Sequence, residues 1–187
     1  MVCTGVVLAA GASTRFGGLK LVAEYRGKPL VRWAVESAKE ALGEVYVVLG
    51  YVADEVRRAA GLVDGFIYNP WWRLGLSTSV KAAVSALIDR RCLVFMLGDM
   101  PEVSPRTVVA VASACERGIV FPVYKGARGN PAACCRDAYP LALELLSGDV
   151  GLRALVEHAE VKYVEVDDPG VLFDVDTPSG GRIYPRQ

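Results

Sequence analysis

Three runs constrain this chain more than anything else in it. Val6-Val7-Leu8, Val45-Tyr46-Val47-Val48-Leu49 and Cys92-Leu93-Val94-Phe95-Met96-Leu97 are apolar without alternation, and stretches of helical periodicity lie between them. A strand that is apolar on both faces must be covered on both, and a mostly parallel sheet wrapped by helices does this. Pro29 opens a helical pattern of Leu30, Trp33, Ala34, Ser37 and Ala41 that Gly43 ends, Val80, Ala83, Val84 and Leu87 share a face between about Ser77 and Ile88, and Pro105 opens a run to about Glu116. The same reading predicts strands at Gly5–Ala10, Gly65–Tyr68, Ile119–Val123, Ala132–Cys135 and Val161–Val166, helices at Asp54–Ala60, Tyr139–Leu146 and Leu152–Glu157, a loop at Gly126–Pro131 and a last strand within Val171–Pro185. The expected fold is α/β, a three-layer single domain over residues 1–187.

A length of 187 residues with 52% hydrophobic residues supports one full core. Twenty-one Lys and Arg balance 21 Asp and Glu, which argues against a nucleic-acid groove or a membrane-surface patch. No charged-then-apolar leader pattern and no bilayer-length apolar run is present, so a cytoplasmic location is expected. The five cysteines lack Cys-x-x-Cys spacing and there is one histidine, His158, so the usual zinc sets cannot be built and reduced, buried thiols are expected. Alternation puts Cys134 and Cys135 on opposite faces of their strand.

The first strand runs into Ala9-Ala10-Gly11-Ala12-Ser13-Thr14-Arg15-Phe16-Gly17-Gly18-Leu19-Lys20. Small residues let backbone N–H groups approach an anion, Arg15 offers a planar fork and Lys20 a point charge, a combination suited to polyphosphate. Leu19 stands where a Walker A loop needs Lys, with no hydroxyl to follow, and the dinucleotide fingerprint lacks its second glycine. Asp99, in Leu97-Gly98-Asp99-Met100-Pro101, ends the most apolar strand, where an α/β sheet binds ligands; it reads as a Mg²⁺ ligand, or as a residue that caps the Pro105 helix or closes a turn. Asp174 and Asp176 fall on one face of a strand, where a cation would relieve their repulsion, or one of them initiates the Asp-Thr-Pro turn. Ser77, Thr78 and Ser79 at a helix start supply a cap and N–H groups for a ligand, while Trp71 and Trp72 read equally as core anchors or ligand contacts. The segments Gly126–Pro131 and Ser147–Arg153 each join glycine to an arginine, which suits a second anionic substrate or a plain surface loop.

Taken in order, Leu-Ala-Ala-Gly-x-Ser-x-Arg-x-Gly-x-x-Lys, Asn-Pro-x-Trp-x-x-Gly-Leu-Ser-x-Ser, Leu-Gly-Asp-Met-Pro, Arg-Gly-Asn-Pro, Gly-Asp-x-Gly-x-Arg and Asp-x-Asp-Thr-Pro resemble the molybdenum cofactor cytidylyltransferases, within the molybdopterin nucleotidyltransferase family. The resemblance spans residues 5 to about 178. It implies a Rossmann-like sheet of glycosyltransferase-A type and transfer of CMP from CTP to the terminal phosphate of the molybdopterin cofactor, with pyrophosphate released. It places Leu8, Ala9, Ala10, Gly11, Ser13, Arg15, Lys20 and Gly98 around the nucleotide, with Ser77, Thr78 and Ser79 near the nucleoside. Asp99, Asp176 and Asp174 fall to Mg²⁺, and Lys20, Arg15 and Asp99 to catalysis. Arg128, Gly129, Asn130, Pro131, Asp149 and Arg153 fall to the pterin substrate. A molybdenum enzyme or its maturation chaperone is the implied onward partner, with no nucleic acid and no membrane.

The implied chemistry needs no protein nucleophile, because an ionised phosphate attacks the α-phosphorus while cations neutralise the developing charge. Two competing functions stay open: a guanylyltransferase, and a non-catalytic chaperone for the pterin. Guanosine users in the family tend to have Gly in place of Ala10, which favours CTP here, and a chaperone has no need of Asp99 together with Lys20. Two departures stand out: Phe16 where methionine is common, and Ser179-Gly180-Gly181 in place of acidic residues after Thr-Pro, which implies a shortened final helix.

Overall fold

The structure, a computed structural model, describes residues 3–12, 19–177 and 180–183, with residues 176, 177 and 180–183 described by backbone alone. Its elements run β1 (Thr4–Ala9), a 3-10 turn (Lys20–Val22), β2 (Glu24–Tyr25), β3 (Lys28–Pro29), α1 (Leu30–Leu42), β4 (Val45–Leu49), α2 (Ala53–Ala60), β5 (Gly65–Tyr68), a 3-10 turn (Trp72–Leu74), α3 (Leu76–Ala86), β6 (Cys92–Leu97) and α4 (Pro105–Ser113). There follow β7 (Ile119–Tyr124), β8 (Ala127–Arg128), β9 (Ala132–Cys135), a 3-10 turn (Arg136–Ala138), α5 (Tyr139–Leu145), 3-10 turns at Leu152–Leu155 and Pro169–Leu172 on either side of β10 (Val161–Glu165), and the pair β11 (Phe173–Thr177) and β12 (Gly180–Ile183).

The main sheet has the order β10-β7-β9-β6-β1-β4-β5, with β8 added on β7. β1 lies parallel to both β4 and β6, and β9 runs antiparallel between β6 and β7. Alternation along β1 sends Val7 and Ala9 into one core layer and Val6 and Leu8 into the other. The first layer is closed by α1, α2 and α4 through Val31, Val35, Val56, Val108 and Val111, the second by α3 and α5 through Val80, Ala83, Val84, Tyr139 and Ala142. This is the three-layer α/β fold expected from the unbroken apolar strands. Among the described residues no helix is long and apolar enough to cross a membrane.

Four departures from the sequence reading have physical causes. The two-residue strands β2 and β3 and the Lys20–Val22 turn are too short to leave a periodicity. Within the predicted loop 126–131, Ala127 and Arg128 pair with Tyr124 and Val123, since Lys125 and Gly126 take positive φ and turn the chain back. Residues 180–183 form a strand against β11 rather than a shortened helix, consistent with adjacent glycines that helices disfavour. The expectation of reduced thiols is also overturned, because Cys3 is bonded to Cys92 and Cys115 to Cys135, leaving Cys134 as the buried free thiol. Those pairs are 89 and 20 residues apart in sequence, so the sheet register, not spacing, brings them together.

One buried carboxylate ties α4 to the turn before β11. Asp168 Oδ2 accepts from Ser104 N (2.9 Å) and Thr107 Oγ1 (2.6 Å), and its Oδ1 accepts from Gly170 N (2.9 Å), so the start of α4 is fastened to the turn that leads into β11. Replacing Asp168 by Ala orphans these donors and is expected to cost about 3 kcal/mol in urea unfolding. The same change at exposed Asp167 is expected to cost less than about 0.5 kcal/mol.

Candidate active site

From β1 the chain proceeds to β4 and β5 on one side and then returns to place β6 on the other, so a topological switch point lies between the carboxyl ends of β1 and β6. The backbone along this edge is stitched across strands. Asn69 N donates to Leu49 O (2.8 Å), Tyr51 N to Ala10 O (2.9 Å), Gly98 N to Leu8 O (3.1 Å) and Val175 N to Asp99 O (3.1 Å). Ala10 and Gly11, Gly50, Asn69, Asp99 and β11 therefore stand in one row. Gly50 is required by close approach, since a Cβ there would lie 2.7 Å from Ala10 O and 2.8 Å from Ala10 Cβ.

Lys20 and Asp99 meet in this row. Lys20 is only 6% exposed, and its Nζ lies 2.7 Å from Asp99 Oδ2. A lysine so nearly buried needs an anionic partner, and a strand-end aspartate provides one. The loop cation and the metal-ligand candidate thus share a contact that their 79-residue separation concealed. The β2–β3 hairpin that follows Lys20 is fastened to the turn after Asp99, with Tyr25 donating to Glu102 Oε1 and Arg26 Nη1 paired with the same oxygen, each at 2.7 Å. Burial first, then the bond to Glu102, raises the Tyr25 phenol above its ordinary pKa. The hydrogen bond from Val175 brings the Asp174 backbone beside Asp99, and the Asp174 side chain is buried. Ser13 and Arg15 lie outside the described residues, as does the Asp176 side chain.

The Asn69–Ser79 segment is organised by Asn69, which the sequence reading quoted in its motif but did not single out. Buried at 1% exposure, its Nδ2 donates to Thr78 Oγ1 (2.8 Å) and Ser79 Oγ (2.9 Å), while its Oδ1 accepts from Trp71 N (3.0 Å). An asparagine that ends a strand and precedes two hydroxyls by nine and ten residues was the available signal. The expectation that a hydroxyl caps α3 is corrected. The N-cap is Gly75 at φ 108°, where a Cβ would sit 2.4 Å from the Gly148 backbone, and the incoming loop does the capping. Asp149 Oδ1 accepts from Leu76 N and Gly148 O from Ser77 N, each at 3.2 Å. Asp149, expected on the second substrate, is thus engaged with α3. Trp72 packs 5.4 Å from the Tyr51 ring, whereas Trp71 is 66% exposed.

The remaining acceptor-side residues are divided. Arg128 lies on β8 with its guanidinium 5.0 Å from the Phe121 ring centroid. Asn130 N donates to Val171 O (2.9 Å), and a Cβ on Gly129 would lie 2.4 Å from that same oxygen, so this loop rests on the turn that runs into β11 and Asp174. Pro131 follows through a cis peptide bond. Arg153 is exposed on the Leu152–Leu155 turn, close in sequence to the loop that caps α3. The structure thus gathers Lys20, Asp99 and β11 at the switch point, and flanks them with the Asn69 network on one side and the Asn130 loop on the other.

The Lys20–Asp99 pair thus stands at the switch point, the place where open α/β sheets bind ligands. Residues 5–165 match the MobA-like NTP transferase domain, and the chain belongs to that family. It is 26% identical to the molybdenum cofactor cytidylyltransferase of Escherichia coli (strain K12), covering 92% of this chain and 90% of the relative. It is 31% identical to the nicotine blue oxidoreductase of Paenarthrobacter nicotinovorans, covering 93% and 92%. Among solved structures, Rv0371c of Mycobacterium tuberculosis H37Rv superimposes with a TM-score of 0.79 at 30% identity over 95% of both chains, and that protein has also been solved in complex with manganese.

Asn69→Ala removes the shared partner of Thr78, Ser79 and Trp71 at once. It is expected to lower stability by about 2–3 kcal/mol in urea unfolding, as for other buried polar groups left unpaired. Loss of less than about 0.5 kcal/mol would show the network to be incidental.

Proposed function

We propose that this chain transfers CMP from CTP to the terminal phosphate of the molybdopterin cofactor, releasing pyrophosphate and forming a molybdopterin cytosine dinucleotide. The observation that carries the reading is the Lys20–Asp99 pair at the β1/β6 switch point, with β11 hydrogen-bonded to Asp99. Nucleotidyl transfer depends on positioning and charge neutralisation, and a nearly buried cation held by a part-exposed carboxylate at the carboxyl end of a sheet serves both. In this reading Lys20 meets the triphosphate oxygens and follows the charge that grows on the leaving pyrophosphate. Asp99 holds Lys20 in place before the nucleotide arrives. The attacking phosphate is already ionised, so exposed His158 is not needed as a base.

The donor set near Asp99 also fits a hard divalent cation. Asp99 is 26% exposed, and Asp174 follows in a strand hydrogen-bonded to it, which offers carboxylate oxygens of the kind Mg²⁺ takes beside phosphate. Asp99, Asp174 and Asp176 are the residues proposed to hold it; when bound, Mg²⁺ supplies charge neutralisation to the triphosphate. The manganese complex of the Mycobacterium tuberculosis relative supports a divalent ion here.

CTP is favoured over GTP by Ala10, whose methyl is buried and faces Gly50 at the row of strand ends. Thermal unfolding in CTP, GTP, ATP and UTP with Mg²⁺ tests the choice, since a ligand at about 100 times its Kd stabilises by about 2.7 kcal/mol. CTP is expected to give the largest shift, and Ala10→Gly to narrow the gap to GTP; a larger shift with GTP for the wild type overturns the cytidine assignment. Lys20→Ala is expected to lower turnover about 10²-fold or more while the protein stays folded. Near-normal turnover would remove Lys20 from the chemistry.

A further inference from the structure

Four of the five cysteines come from four separate parts of the chain and meet at one point. Cys3 precedes β1, Cys92 opens β6, Cys115 follows α4 and Cys135 ends β9. The sulfurs of Cys3, Cys92 and Cys115 lie within 4.8 Å of one another, and Cys135 is bonded to Cys115. All four residues are 5% exposed or less. Cys92 and Cys135 are register partners across β6 and β9, and Thr4 pairs with Leu93, which sets Cys3 beside Cys92. The cluster therefore sits at the amino ends of β1 and β6, whereas the Lys20–Asp99 pair sits at their carboxyl ends. A six-residue strand separates the two by roughly 20 Å.

We propose that Cys3–Cys92 and Cys115–Cys135 form one buried double-disulfide clamp, carried by the native protein, that locks the pole of the sheet opposite the candidate active site. The clamp joins the start of the chain to β6 and the end of α4 to β9, so it spans the central strands and the layer that covers them. Closing loops of 89 and 20 residues removes conformational freedom from the unfolded chain, more for the longer loop. Each bond forms by exchange with an external disulfide. One cysteine thiolate attacks it and releases a thiol, and the second cysteine thiolate then displaces another thiol from the mixed disulfide. Two cysteine thiols are oxidised and one external disulfide is reduced to two thiols, for each bond.

The fold also isolates the clamp from internal scrambling. Cys134 neighbours Cys135 in sequence but faces the opposite core layer, and burial pushes its thiol up to about 12, so it holds its proton and does not attack. A reductant has equally little access to sulfurs this buried. Both bonds should survive in the folded protein and be lost together once it opens.

Counting thiols on the wild-type protein tests this directly. Protein prepared without reductant is unfolded in guanidinium, alkylated and weighed by mass spectrometry, with a parallel sample reduced first. One label without reduction and five after it are expected, because five cysteines are present. Five labels without reduction, or a stoichiometric zinc ion held on the thiols, overturn the clamp. Folded protein in dithiothreitol at 25 °C is expected to keep both bonds, and rapid loss of either one alone contradicts the shared shielding. In thermal melts, Cys3→Ala/Cys92→Ala and Cys115→Ala/Cys135→Ala are each expected to lower Tm by about 10 °C, the first pair more. An unchanged Tm in both overturns the stabilising role, and if either variant fails to fold, the wild-type thiol count still decides whether the clamp exists.

Discussion

The contact between Lys20 and Asp99 is the constraint around which the carboxyl edge of this sheet is organised. An ammonium at 6% exposure is tolerable only beside a fixed anion, and Asp99 is fixed because β6 ends there and because its carbonyl receives the Val175 N–H. The ion pair thus holds the returning end of the loop after β1 against the end of β6. The Tyr25–Glu102–Arg26 contacts repeat that attachment one turn away. A pair of this kind gives little net stability compared with apolar packing, so its place at the switch point, where α/β sheets bind ligands, supports the role proposed for it.

What makes such precision possible is the rigidity behind it. The central strands β1, β4 and β6 pair with neighbours on both sides, which satisfies their buried backbone groups, and helices cover both of their apolar faces. The backbone at Ala10 and Asp99 on that edge is then held by hydrogen bonds between neighbouring strand ends. Asn69 does the same for the start of α3, with Gly75 allowing the Gly148–Asp149 loop to lie directly on the helix end.

Much of this was legible in the residues. The strands Gly65–Tyr68, Cys92–Leu97 and Ala132–Cys135 were readable to the residue, because apolar runs bounded by turn residues have clear ends. The placement of Asp99 at a strand end followed from the same pattern. What sequence reasoning could not supply was partnership across the fold. Nothing local marks Lys20 as the partner of Asp99, Asp149 as the cap of α3, or Cys3 as the partner of Cys92, since each depends on which strands become neighbours. Asn69 was visible as a motif letter, but its three hydrogen bonds were not.

The most direct measurement is the product balance of the reaction itself. Protein, Mg²⁺, CTP and the molybdopterin cofactor are mixed, and pyrophosphate and dinucleotide are quantified together, for the wild type and for Asp99→Asn. Equal amounts of the two products are expected, formed only when both substrates are present, with most of that turnover lost in Asp99→Asn. Release of no pyrophosphate from any nucleoside triphosphate, or an Asp99→Asn protein that keeps its rate, would contradict the proposed transfer.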